Sequence, residues 1–324
     1  MKITNLNIKN FPVMYLTASI GTQTSHIQED FTITNATQIS EMNFYLYNIL
    51  ISDYGGLTHF TIPSDKRFNK NQNYCVNILE IIYENIGKND YKKINEIIKE
   101  DSYNKKDEET FFNKISINSL QVFQNKEKFN KKEYYSFLIL AIPFALKILE
   151  KEKLISEITK YINLFTDDIN HILACVTIGL FINYALNDIG INKWLELVIN
   201  DLNKIKGSEK YIDYINNYIE NNYRNGIFIP KRIDTFIVER NRNFIENYGS
   251  KYNKYLSVKA EEQILLIIDS LIRSQDNWEK LILFGITNYN DNVSFGLILG
   301  ILYEIMYSSV KINNNLIKRF SFNL

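Results

Sequence analysis

Apolar residues recur along this chain at the spacing of helices and rarely at the alternation of half-buried strands. Leu154, Ile158, Tyr161, Ile162 and Phe165 fall on one helical face. Ile78 to Ile86 and Trp194 to Ile205 are amphipathic in the same way. Ile172 to Leu186 is apolar almost all round, which predicts a helix in the middle of a bundle. Ile264 to Ile272 and Phe295 to Met306 read the same way. With only 12 Gly and 4 Pro, the chain lacks the punctuation of a strand-rich fold. The pattern predicts an all-α domain of about a dozen helices.

Two stretches dilute the pattern. Lys88 to Lys132 is polar around short apolar clusters, and Gly207 to Ser257 is rich in Asn, Tyr and Arg. Both are expected to be connections or peripheral helices within a single domain spanning 1–324. Three short polar clusters each open a strongly apolar helix: Thr34 to Gln38, Thr166 to Asp168, and Asn288 to Ser294. Each has the make-up of a helix start. Asn35 and Gln38 have capping-box spacing, Thr166 is a good N-cap with two acids behind it, and Asn292 or Ser294 could cap the last helix.

Composition narrows the functional classes. The 37 basic and 37 acidic side chains cancel, so neither a dedicated nucleic-acid binder nor a polybasic membrane protein is expected. Arg240, Arg242, Lys251 and Lys254 interleave with Phe244, Tyr248, Tyr252 and Tyr255, a composition suited to single-stranded nucleic acid. Glu239 and Glu246 dilute its charge, and nucleic-acid binding is not expected. Two cysteines, Cys75 and Cys175, exclude a disulfide scaffold, and three histidines leave little for a His/Cys metal site. Met1 to Pro12 lacks the apolar core of a secretory signal. The apolar run Phe295 to Tyr303 falls short of the roughly 20 residues a membrane helix needs. Its Gly296 and Gly300 form a G-x-x-x-G, expected here to serve close helix packing. A cytoplasmic protein is the expectation. The common phosphate-loop, dinucleotide, zinc-protease and serine-hydrolase motifs are absent from the sequence.

Taken together, in their order and spacing, the three polar clusters resemble those of the ADP-ribosylglycohydrolase family, nearest its arginine-specific branch. Asp269, Asp276, Trp278, Leu281, Asp291, Ser294, Gly296, Ile298, Gly300, Met306 and Tyr307 match the family's helix, acidic-Trp turn, G-G-D-x-D-[ST] loop and small-residue helix. Leu164-Phe165-Thr166, followed by Leu180-Phe181 and Tyr184-Ala185, resembles its T-H-x-x-P segment and following helix. Thr34 to Gln38 stands where the family has [ST]-D-D-T. Weaker echoes are Leu16-Thr17-Ala18, where the family begins its G-D-A loop, and Ala141-Ile142-Pro143, after its G-A-x-M-R segment.

The resemblance implies an all-α, ADP-ribosylglycohydrolase-like bundle. In the family two Mg²⁺ ions sit between the [ST]-D-D-T helix start and the D-x-D-[ST] loop, where clustered carboxylates hold the hard cation. Most of those ligands are replaced here. The adjacent aspartates are Asn35 and Ala36, and the second Asp of D-x-D is Val293. The preceding glycines are Tyr289 and Asn290, the Met-Arg pair is Ile139-Leu140, and the histidine of T-H is Asp167. Thr34, Thr37, Asp291 and Ser294 persist, with Glu262 at an acidic position upstream.

The expected protein is therefore a pseudoenzyme with no metal cofactor. It is expected to bind an ADP-ribosyltransferase, as an antagonist or immunity protein, or an ADP-ribosylated target. Its cleft residues would be Thr34, Asn35, Thr37, Tyr289, Asn292 and Ser294. Asp291, Asp167 and Asp168 are the vestigial catalytic candidates, and Asp291 the one metal candidate. Two alternatives stay open: a divergent Mg²⁺-dependent ADP-ribosylarginine hydrolase using Asp291 with Asp167 or Asp168, and a helical binder with no ligand in the cleft.

Overall fold

The computed structural model describes residues 6–29, 77–104, 137–222, 239–244, 247, 259–286, 292–308 and 312. These are helical with intervening turns, and no strand occurs among them. The helices are α1 (Pro12–Glu29), α2 (Tyr91–Asn104), α3 (Ala141–Lys147), α4 (Lys151–Ile162) and α5 (Ile169–Leu186). They continue with α6 (Trp194–Leu202), α7 (Glu209–Asn222), α8 (Ala260–Ser274), α9 (Trp278–Leu281) and α10 (Asn292–Tyr307). Residues 77–85 and 239–243 are also helical.

α5 is the axis. Every residue from His171 to Ala185 is buried, which is what its all-round apolar sequence requires. α3, α4, α6, α8 and α10 all pack on it, as does the 3₁₀ turn Phe137–Leu140. α5 is also long and apolar enough, by length and composition, to cross a membrane. This corrects the expectation built on Phe295 to Tyr303: polar residues such as Thr177 and Asn183 interrupt the run without lowering its mean hydropathy enough. In the fold, 83% of α5 is buried within the protein. Thr177 donates to the Leu173 carbonyl and meets the Tyr211 hydroxyl at 2.9 Å, while Asn183 donates to the Leu149 carbonyl.

The amphipathic segments fall as their patterns predict. Leu154, Ile158, Tyr161 and Ile162 of α4 are buried, but the helix ends there and Phe165 follows in a turn. Trp194, Leu195, Val198 and Leu202 line the inner face of α6. The two diluted stretches contribute more than connections. Ile94 and Ile98 of α2 enter the core, and Tyr91 packs edge-on against Phe144 and Tyr161 at ring distances of 5.7 and 5.3 Å. From α7 come Tyr211, Ile212, Ile215 and Tyr218. Their apolar residues are few but correctly spaced, so composition understated their burial.

Among the described residues, α1 and α10 pack backbone to backbone. A Cβ on Gly296 would lie 2.6 Å from the Ala18 Cα, and one on Gly300 2.6 Å from the Met14 Cα. Reciprocally, a Cβ on Gly21 would lie 2.1 Å from the Asn292 carbonyl oxygen. The G-x-x-x-G thus serves close packing of two helices, as expected. Glycine leaves no side chain between the backbones, and nothing larger fits.

Candidate functional site

Three of the segments that carry the family resemblance meet at the α1–α10 contact. Thr17 donates its hydroxyl proton to the Val13 carbonyl at 2.7 Å and accepts from the Trp278 indole N–H at 3.2 Å. The Tyr303 hydroxyl donates to the Asp276 carbonyl at 2.6 Å. Leu16-Thr17-Ala18, the Asp276–Trp278 turn and the start of α10 therefore form one assembly, although they lie at opposite ends of the chain. Asn292 and Ser294 are wholly buried in it. Asn292 is the first helical residue and Ser294 lies inside the first turn, so neither occupies the cap position expected of them. Thr34, Asn35, Thr37, Tyr289 and Asp291 lie outside the described residues.

The second cluster differs from its expectation in detail. The N-cap of α5 is Asp168, not Thr166. Its carboxylate accepts from the Asn170 N–H at 2.9 Å, while Thr166 Oγ1 accepts from the Asp168 N–H at 3.1 Å. Capping depends on which oxygen reaches the second or third helical N–H, and the helix starts late enough for Asp168 to do so. The other Asp168 oxygen meets His171 Nδ1 at 2.9 Å, and that contact holds the carboxyl below its ordinary pKa. Asp167 is exposed.

The remaining carboxylates are engaged in the same structural way. Glu262 accepts from the Lys259 N–H at 3.2 Å, the reciprocal half of a capping arrangement at the start of α8. Asp269 is buried between two guanidiniums: Arg240 Nε at 2.6 Å and Arg273 Nε at 2.7 Å, with the Tyr218 hydroxyl donating at 2.8 Å. Burial pushes its pKa up, and the two arginines outweigh that and hold it ionised. Arg240 is itself enclosed by the rings of Phe244 and Phe284, at 5.2 and 5.4 Å from their centroids. Burial lowers its pKa, but a base this strong stays charged. The Arg/aromatic stretch that resembled a nucleic-acid surface thus turns Arg240 and Phe244 inward.

Glu304 stands outside the candidate site residues of the sequence. It is buried at the start of α1, accepting from the Val13 N–H at 2.9 Å. Burial raises its pKa to about 8, against the opposing pull of the Val13 and Met14 N–H groups. An acid inside an apolar helix was its one sequence signal.

Among the described residues no three His, Cys, Asp or Glu side chains converge to hold a metal ion. Asp168 and Glu262 already bind their own helix starts, and a dinuclear site needs several carboxylates on each ion's octahedron.

No protein-family model matches the chain, and no curated protein matches it significantly. The functional reading therefore rests on the residues themselves.

Proposed function

We propose that this chain is an ADP-ribosylhydrolase-like pseudoenzyme, a cytoplasmic protein-binding scaffold without metal-dependent hydrolysis. Its partner would be an ADP-ribosyltransferase, which it antagonises by binding, or an ADP-ribosylated protein. One observation carries the reading: the described carboxylates in and beside the family-like segments serve as helix caps and internal ion pairs. Asp168 caps α5, Glu262 caps α8, and Asp269 neutralises Arg240 and Arg273. Drawing Asp269 to a cation would leave Arg240 buried without its partner, and drawing Asp168 away would leave the start of α5 uncapped. The convergence of Thr17, Trp278 and Gly296 adds support, because it keeps the packing frame of the resemblance while the catalytic loops have changed.

The test is calorimetric titration of the purified protein with ADP-ribose in the presence of Mg²⁺, beside an assay for release of ADP-ribose from modified arginine. The expected result is no Mg²⁺-dependent binding and no release. Micromolar, Mg²⁺-dependent affinity removes the pseudoenzyme reading.

A further inference from the structure

A cavity of about 260 Å³ opens where the starts of α5, α7 and α8 meet, away from the α1–α10 contact. Asn170, Lys210, Asp213, Tyr214, Asn217 and Glu261 line its walls, and buried Tyr211 lies at its base. This is below the roughly 300 Å³ at which small-molecule pockets begin, so a nucleotide is too large for it and one long side chain is not.

We propose that this cavity receives an arginine side chain from a protein partner. Charge decides the sign of the ligand. Three helix starts would together favour an anion, each carrying at most about half a positive charge. Those ends are already answered: Asp168 caps α5, Glu262 caps α8, and Glu209 stands in the first turn of α7. What remains facing the cavity is two carboxylates against one ammonium. Asp213 and Glu261 make no hydrogen bond or ion pair among the described residues, whereas Lys210 lies in the field of Asp168. Asn170 adds a neutral polar wall, and Tyr211 and Tyr214 add aromatic surface. Two carboxylates beside aromatic rings suit a planar, forked guanidinium better than the point charge of lysine.

The inference rests on the scaffold reading only for the protein nature of the partner, and the probe separates the two. Ligand-observed NMR with N-acetyl-arginine amide is expected to show saturable binding in the roughly millimolar range. Asp213→Asn with Glu261→Gln should weaken it about fivefold, and Lys210→Glu should strengthen it about threefold. The gain in the second variant cannot come from a folding defect. Absence of saturation overturns the proposal, as does equal binding of N-acetyl-norleucine amide, an unweakened double variant, or preferential binding of inorganic phosphate. Failure here leaves the scaffold reading intact, and hydrolysis of ADP-ribosylarginine would remove that reading without touching the arginine titration.

Discussion

Glu304 is a buried acid that caps a helix almost three hundred residues away in sequence, and that position makes stability depend on pH. Its pKa of about 8 in the fold stands well above the ordinary 4.5, because burial disfavours the carboxylate. The folded state therefore binds a proton more tightly than the unfolded chain. Its contribution is fully present below about pH 4.5 and is lost as pH rises through about 8. Glu304→Gln keeps an oxygen for the Val13 N–H and removes the titration. Denaturant melts at pH 6 and pH 9 should show the wild type losing roughly 2–3 kcal/mol more than the variant over that interval. A wild type whose stability falls no more steeply than the variant's refutes this. Asp269 makes the opposite case, since its ionised form is the one stabilised. Asp269→Asn strands Arg240 in the core and should cost about 3–5 kcal/mol in equilibrium unfolding. Replacing both, as Arg240→Met with Asp269→Leu, should cost less than the single change, because the charge then left without Asp269 is that of Arg273, which is only partly buried.

The α1–α10 contact turns on small residues, and glycine substitutions separate backbone crowding from side-chain crowding. Gly296→Ala would gain about 1 kcal/mol of helix propensity but drive a methyl into the Ala18 backbone. Overpacking against backbone outweighs that gain, so a net loss of about 2 kcal/mol is expected. At Gly179 the added methyl meets the Ile158 Cδ1 end of a side chain, which can rotate away. Gly179→Ala should therefore stay within about 1 kcal/mol of wild type, and thermal melts of the two variants check the contrast. The helices themselves were legible because periodicity reports burial directly: α4, α6, α8 and α10 lie where their apolar faces placed them. Ends were less legible. Asp168 rather than Thr166 caps α5, because two neighbouring polar residues offer the same chemistry and only the chain path decides between them. The importance of α7 was hidden for another reason: Tyr211 and Tyr218 bury rings while satisfying their hydroxyls on Thr177 and Asp269, and tyrosine-rich polar sequence does not distinguish that from a surface.

At the scale of the whole molecule, α5 organises the bundle, and both candidate surfaces are set by what packs around it. α10 lies on one side of it and carries the family-like segment. The first turn of α5 opens onto the cavity beside α7 and α8. Neither surface could be read from the chain alone. The cavity needs Asn170, Asp213 and Glu261, which come from three helices and form no sequence motif. The family-like contact needs Thr17 to meet Trp278 across 261 positions. A scaffold that has lost its metal-dependent ligand should also lose the thermodynamic coupling between that ligand and global stability. A ligand at one hundred times its Kd stabilises the fold by about 2.7 kcal/mol. For a chain of 324 residues the unfolding entropy converts that into a rise of about 4 °C in Tm. Melting the protein with about 1 mM ADP-ribose and excess Mg²⁺ would therefore expose even a Kd of about 10 μM. The expected shift is below about 1 °C, with the same Tm after treatment with EDTA. A rise of several degrees that EDTA abolishes would mean that carboxylates beyond Asp168, Glu262 and Asp269 still gather a metal, and would overturn the proposed loss of the metal site.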